Sequence, residues 1–250
     1  MSEQGRVDTH CESGVGTITF SHPKGNSLPG TLLAQLADAF HKMGADAAVR
    51  VIVLRSEGNG AFCAGASFAE LKSISDAAAG KKFFLGFANL IIAMIRCPKF
   101  IVTRVQGKTV GGGVGILAAS DLVVATKDSA VRLSELAVGI GPFVVGPVIE
   151  KKIGLAAFSA LAADAGWRDA AWSERHGLHS FVHESVDAVD SSVAALAARL
   201  AASNPDAMSR LKRVFWEGTE NWDSLLAQRA AESGELVLSE FARKAIASFS

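Results

Sequence analysis

The segment that most constrains the fold is QGKTVGGGVG, residues 106–115, where glycine fills half the positions. It lies between two short apolar runs, KFIVTRV (99–105) and DLVVA (121–125). Short continuous apolar runs suit strands buried on both faces. The span between them has room for a sharp turn and a short helix over 114–119. Glycines there let the chain turn tightly and bring bare backbone close to a ligand. A second segment has the same setting. AFCAGAS (61–67) follows RVIVL (50–54), another buried-strand pattern, and leads into helical sequence. Strand, glycine-rich loop and helix thus recur, which predicts an α/β fold.

The rest of the chain fits that plan. GVGTITF (14–20) alternates and is β-branched, as in a strand. SHPKGNSLPG (21–30) is dense in turn residues. Helical spacing follows over 31–43, with Thr31 as a candidate N-cap, and again over 81–96, which Pro98 stops. Residues 143–153, 155–164 and 168–176 also read as helical. After residue 186 strand signals vanish, and 187–202, 204–216 and 222–238 are all helix-like. This shift predicts an α/β core over 1–190 and a helical region over 191–250. Of the 250 residues, 49% are hydrophobic, enough for a sizeable core.

Several classes are disfavoured. Lys+Arg and Asp+Glu both number 25, so no basic excess points to nucleic acid or a membrane surface. The apolar stretch 83–95 is interrupted by Gly86 and Asn89 and reads as too short to span a bilayer. Residues 1–11 carry both charge signs and no apolar centre, unlike a secretory leader, so a cytoplasmic protein is expected. The cysteines Cys11, Cys63 and Cys97 are few, odd in number and far apart, which suits free thiols in a reducing compartment. Cys63 lies in the 61–67 loop without a basic neighbour, so a packed thiol is expected there, not a nucleophile. His176, His179 and His183 have a loose metal-ligand spacing. They run from a helix end into a strand pattern and would not share a face, so no metal site is expected.

Other glycine motifs fail on spacing. Gly107-Lys108-Thr109 resembles the end of a P-loop, but that motif needs glycine where Val102 stands. Gly113, Gly115 and Ala118 match a permissive dinucleotide fingerprint, yet no acidic residue follows at the required distance. No G-x-S-x-G element is present. What remains is a pair of strand-to-helix loops. Unpaired N–H groups at such helix starts, if they converge, would form an oxyanion hole. Read by themselves, the same residues equally allow two tight turns with no ligand.

Taken together, the motifs resemble those of the enoyl-CoA hydratase/isomerase (crotonase) family. Phe62-Cys63-Ala64-Gly65-Ala66 is similar to its first oxyanion segment. Val105-Gln106-Gly107, Gly111-Gly112-Gly113 and Ala119-Ser120-Asp121-Leu122 are similar to the second segment and the strand after its helix. Ser134 through Ile140 resembles the acidic active-site segment, and His22 through Leu28 the early loop that touches coenzyme A. The resemblance implies a spiral of β-β-α units with a C-terminal helical trimerisation region, giving a homotrimer or a dimer of trimers. It implies an acyl-CoA thioester substrate, with coenzyme A as part of that substrate and no separate cofactor. The N–H groups of Ala66 and Gly112 would hold the thioester oxygen, flanked by Ala64 and Gly111. Lys24 is a coenzyme A candidate by position. Glu135 would be general acid/base, with Leu136, Val138 and Ile140 as the apolar surroundings that raise its pKa.

The chain departs from the family pattern at two positions. Family hydratases use two glutamates around a water; Glu135 matches one, but Gly115 stands where the other would be. Ser67 replaces an acidic or amide residue. Glu57 and Glu70 are the carboxylates that could substitute. The expected function is therefore an enoyl-CoA hydratase/isomerase with one glutamate. The alternatives are another enolate reaction of the family, such as hydrolysis or decarboxylation, and a non-catalytic acyl-CoA-binding homologue. Loops 67–80 and 141–147 are expected to wall the acyl pocket. The apolar residues Leu211, Val214, Phe215, Trp216, Trp222, Leu225 and Leu226 would cover the core or pack between subunits, and the resemblance favours the second.

Overall fold

The computed structural model describes residues 5–248. The expectations for the extreme ends of 1–190 and 191–250, and for the first residues of 1–11, therefore lie outside the described residues. The chain opens with a hairpin, β1 (Arg6–Glu12) and β2 (Val15–Ser21), paired antiparallel. Ser13 and Gly14 join them with φ of 52° and 81°, a two-residue turn whose twist matches the flanking strands. β1 has no counterpart among the expected strands. Its RVDTHCE sequence is almost wholly exposed, so pairing with β2 makes it a strand, and no apolar alternation marks it.

The chain then winds in repeated turns. The first runs from β2 through an isolated bridge at Leu28 into α1 (Gly30–Ala45). The second comprises β3 (Val51–Ser56), bridges at Cys63 and Ala66, α2 (Phe68–Ser73) and α3 (Ala77–Arg96). The third is β4 (Phe100–Val105), β5 (Thr109–Val110) and α4 (Gly112–Ala119). The fourth is β6 (Leu122–Thr126), β7 (Ala130–Arg132) and α5 (Gly146–Asp164). Then come β8 (Arg168–Asp169), α6 (Ala170–Arg175), β9 (Phe181–His183) and four helices: α7 (Val186–Ala201), α8 (Pro205–Phe215), α9 (Trp222–Leu236) and α10 (Glu240–Ala247).

Each turn gives one strand to a six-stranded sheet of order β1-β2-β3-β4-β6-β9, parallel from β2 onward. Each also places a short segment in a second layer, where Leu28 pairs with Ala66, Cys63 with Thr109, and β5 with β7. This is the expected spiral of β-β-α units. The main core packs α1, α3 and α4 on one face of the large sheet. On the other face, Val189, Val193, Leu196 and Ala197 of α7 cover Val51, Val53, Val102 and Val124.

Several boundaries differ from expectation for local reasons. α1 starts at Gly30, and Thr31 is not its cap. The cap position is Pro29 without a side-chain bond, and Glu70 Oε2 of α2 accepts the Gly30 N–H at 2.8 Å instead. α3 begins at Ala77, before the expected Lys81, because Asp76 caps it through the Ala79 N–H at 2.8 Å. At 20 residues α3 is also long and apolar enough to cross a membrane, contrary to the shorter span expected. Its face of Phe83, Phe87, Leu90, Ile91 and Met94 is instead buried within the chain. The two helical patterns of 143–164 form one element with a break at Gly154, where φ is 78°.

The C-terminal helices fold back over the chain's own core. A Cβ on Gly80 would lie 2.6 Å from Gly234 O, and one on Gly234 would lie 2.4 Å from Lys81 N, so α3 and α9 cross backbone to backbone. Lys212 of α8 is buried, its Nζ donating to Asp121 Oδ2 at 2.9 Å and Lys99 O at 2.8 Å. The expected apolar set divides between two uses. Trp216, Trp222 and Leu226 are buried in the chain, whereas Leu211, Val214 and Phe215 are 47%, 55% and 47% exposed.

Candidate active site

Both glycine-rich loops end at one cavity. Its wall includes Ala64, Gly65 and Ala66 from the first loop and Val110, Gly111 and Gly112 from the second, with Ser134 and Glu135 beside them. Five of the six residues expected at the site therefore converge: Ala64, Ala66, Gly111, Gly112 and Glu135. Lys24 does not line the cavity. It is exposed on the 22–27 loop, next to Gly25, whose carbonyl accepts the Ala64 N–H at 3.0 Å.

Local backbone rules explain the convergence. Leu28 donates to Gly65 O at 2.8 Å and accepts from Ser67 N at 3.3 Å. In a parallel bridge this leaves the intervening Ala66 N–H directed away from Leu28. Gly112 is the first residue of α4, so its N–H has no partner within the helix. The α4 N-terminus also brings partial positive charge to the cavity. α4 starts at Gly112, not Val114, because Gly111 takes φ 55°, ψ −120°, a conformation open to glycine.

The triple glycine is tight against three different neighbours. A Cβ on Gly111 would be 3.1 Å from Glu135 Oε1, one on Gly112 would be 2.1 Å from Phe87 Cε1, and one on Gly113 would be 2.8 Å from Cys63 Cβ. The Glu135 carboxylate thus lies against bare backbone at the start of α4. Segment 134–140 folds on itself, with Ile140 N donating to Glu135 O at 2.9 Å and Val138 N to Ser134 O at 3.2 Å.

Glu135 as a whole is partly accessible, but its Oε2 is sealed and has no hydrogen-bond partner. Burial pushes its pKa up to about 7, and nearby backbone N–H groups of Glu135 and Ser134 pull it part of the way back. Val138, Ile140, Val144 and Val145 supply the apolar surroundings. Leu136, expected among them, is 53% exposed and points elsewhere.

No second carboxylate lines the cavity among the described residues. A Cβ on Gly115 would meet Val145 Cγ1 at 2.7 Å and Val145 Cβ at 2.9 Å, so Val145 occupies the space a larger side chain would need. Neither candidate substitute is available. Glu70 caps α1, and Glu57 pairs with Arg6 on the exterior at 2.5 Å. Cys63 is a packed thiol, held up at about 12 by burial, with Gly65 N donating to its Sγ at 3.4 Å. His179 is buried on its own, pushed down to about 4, while His176 stacks on Trp172 with ring centres 4.2 Å apart.

Other residues that shape the site escaped the sequence reading. Phe68 and Leu71, and Gly141 through Val145, fall within the expected wall loops, but Phe84, Phe87 and Ser233 enter from α3 and α9. Asn26 ties the loops together, its Nδ2 donating to Glu57 O and Ala61 O at 3.0 Å each. Gln106 does the same from the β4 end, donating to Ser56 Oγ at 2.9 Å and accepting from Arg104 at 3.1 Å. Asparagine in a turn-rich loop is a recognisable signal; the Gln106 network depends on distant partners and has no local one.

With this geometry in hand, comparison with known proteins places the chain. A model of the enoyl-CoA hydratase/isomerase family matches residues 10–246, and the chain belongs to that family. Among curated relatives, a "probable enoyl-CoA hydratase" of Bacillus subtilis is 26% identical, covering 94% of this chain and 92% of that protein. The (7aS)-7a-methyl-1,5-dioxo-2,3,5,6,7,7a-hexahydro-1H-indene-carboxyl-CoA hydrolase of Mycobacterium tuberculosis is 32% identical, covering 52% of each chain. The match thus spans about half the length of this relative, as it does for its Rhodococcus jostii counterpart, where it covers 51%. Among solved structures, an enoyl-CoA hydratase from Bacillus halodurans superposes with a TM-score of 0.89 at 19% identity, covering 97% of this chain and 99% of that one. One from Mycobacterium avium gives 0.86 at 25% identity, covering 100% and 96%. The fold is that of the crotonase family.

Proposed function

We propose that this member of the enoyl-CoA hydratase/isomerase family shifts a double bond within an acyl-CoA thioester, through an enolate, with Glu135 as its single general acid/base. The observation that carries the reading is Glu135, the one carboxylate in the cavity wall among the described residues, with Oε2 unpartnered and a pKa near 7, while Val145 fills the space beside Gly115. Such a group is partly ionised at neutral pH, so it can both take and return a proton. Ala66 and Gly112 N–H groups would receive the thioester oxygen. Losing one such donor raises a barrier by about 3–4 kcal/mol.

The step balances with one base. Glu135 removes a proton from the α-carbon of a 3-enoyl thioester, and the electron pair moves onto the carbonyl oxygen as a dienolate. The same carboxyl then delivers the proton to the γ-carbon, leaving the 2-enoyl isomer. Adding water would need a second group to orient and deprotonate it, and the cavity wall offers none among the described residues. Lys24 lies outside the cavity beside the first loop, which suits contact with coenzyme A and not with the acyl chain. The exposed strip of Leu211, Val214 and Phe215 on α8 supports a trimer or a pair of trimers; a monomer by light scattering at micromolar concentration would count against that assembly.

The test is mass spectrometry of 2-enoyl-, 3-enoyl- and saturated acyl-CoAs incubated with the protein in D₂O. Double-bond migration or deuterium uptake without water addition is the expected result, and Glu135→Gln should slow it by about 10²–10⁴-fold. Net hydration of a 2-enoyl-CoA, or full turnover by the variant, would overturn the reading. Free coenzyme A released from a saturated thioester would redirect it to hydrolysis.

A further inference from the structure

We infer that Ser233 is a specificity residue for an acyl chain that carries an oxygen function remote from the thioester; this rests on the acyl-CoA reading above. The cavity wall is apolar from Phe68, Leu71, Phe84 and Phe87 round to Pro142 through Val145. Three side chains break that surface: Ser134 and Glu135 at the end beside Gly111, and Ser233 from α9. Ser233 is 1% exposed. Its hydroxyl makes no hydrogen bond to the described residues, and the residue forms part of the cavity wall.

Helical serines in this chain divide between those whose hydroxyl bonds back to the helix and those, such as Ser173 of α6, whose hydroxyl does not. Ser191 of α7 and Ser159 of α5 return their hydroxyls to Asp187 O and Ala156 O, about one helical turn back, at 2.9 and 3.1 Å. Ser233, in the last turn of α9, makes no such bond, and unlike Ser173 it lies in a cavity wall. A buried hydroxyl left without a partner is unfavourable unless a ligand or water satisfies it.

The position of Ser233 sets the reach. Its neighbour Gly234 crosses α3 at Gly80, while Phe87 of α3 packs on Gly112. Those two α3 positions are about 10 Å apart along the helix axis. The hydroxyl therefore faces a part of the acyl chain several bonds beyond the carbonyl that Gly112 would hold. As both donor and acceptor, it fits a keto or hydroxyl oxygen there. The backbone contact between Gly80 and Gly234 fixes α9 against α3, so the hydroxyl is held in place and not merely near the cavity.

The test uses saturated medium-chain acyl-CoAs carrying one keto group at successive positions beyond the β-carbon, each paired with its unsubstituted parent. Calorimetric titration of wild type and Ser233→Ala reads the ratio of dissociation constants within each pair, and deuterium exchange at the α-carbon reads kcat/KM for the same pairs. Wild type should favour one keto position by about tenfold, and Ser233→Ala should bring that ratio towards one. Melting curves for both proteins exclude misfolding as the cause. A wild type indifferent to every keto position, or a preference unchanged in Ser233→Ala, overturns the inference. So does equal weakening of both members of a pair, which would mean a packing role. Binding with the expected preference but without α-carbon exchange would sink the enolate reading and leave Ser233 standing. Failure of every thioester to bind would remove both.

Discussion

Two buried acids in this chain are treated in opposite ways. Asp121, between α4 and β6, has two partners on one carboxylate oxygen: its Oδ2 accepts Ile101 N at 2.7 Å and Lys212 Nζ at 2.9 Å. Lys152 adds bonds to the Asp121 and Ser120 carbonyls at 3.2 and 2.9 Å. Glu135, across the cavity from α3, has a sealed Oε2 with no partner at all. The first acid, paired with Lys212, bolts α8 to the core, and the carbonyls beside it hold Lys152 of α5. The second is held near neutrality and is free to exchange a proton. Burial alone does not separate structure from chemistry here; the supply of partners does.

The sharpest way to break this comparison is to remove the partner that Asp121 has. Lys212→Met keeps most of the side-chain volume but leaves a buried carboxylate facing Ile101 N alone. Removing one member of a buried pair typically costs 3–5 kcal/mol. Lys152 carries a second positive charge nearby, so about 3 kcal/mol is expected, measured by urea unfolding. Adding Asp121→Asn should recover much of the loss. A Lys212→Met protein as stable as wild type would mean that Asp121 is not the anchor of α8.

The opposite sign is expected at Glu135. Its folded pKa is about 7, above the ordinary 4.5, so the native state holds the proton more tightly than the unfolded chain. The stabilisation from that proton is complete below about pH 4 and is lost as pH rises through 7. Wild type therefore loses about 3 kcal/mol from this group between those limits, at 1.36 kcal/mol for each pKa unit. Glu135→Gln should lack that slope and gain stability over wild type at about pH 8, while losing turnover. Parallel stability–pH curves for the two proteins would mean that the carboxylate is solvated, and the contrast with Asp121 would fail.

These features were unequally visible in the sequence. The two glycine loops could be read as tight strand-to-helix turns, but it was the ordered resemblance of several motifs that marked them, with Glu135, as one site. The edge strand β1 could not, since pairing and not periodicity makes it a strand. Ser233 and Phe87 were also invisible. They reach the cavity because α9 crosses α3 at Gly80 and Gly234, a contact between residues far apart in the chain. Leu136 shows the converse error: proximity in sequence to Glu135 suggested a wall residue, but the folded turn sends it outward.

A smaller effect tests how firmly Glu135 is left as the lone carboxylate. Position 115 lies inside α4, where alanine would ordinarily be favoured over glycine by about 1 kcal/mol. Here the added Cβ would fall 2.7 Å from Val145 Cγ1, and overpacking of this kind costs about 1–3 kcal/mol. Gly115→Ala should therefore destabilise by about 1 kcal/mol instead of stabilising. Val145→Ala should also destabilise, by leaving a void. In the double variant the new methyl occupies part of that void, so the two losses should not add, with a coupling of about 1–2 kcal/mol in denaturant unfolding. Additive losses would show that the 141–147 loop yields easily. Val145 would then be a movable wall, and the space beside Gly115 would be open to a water or a second catalytic group.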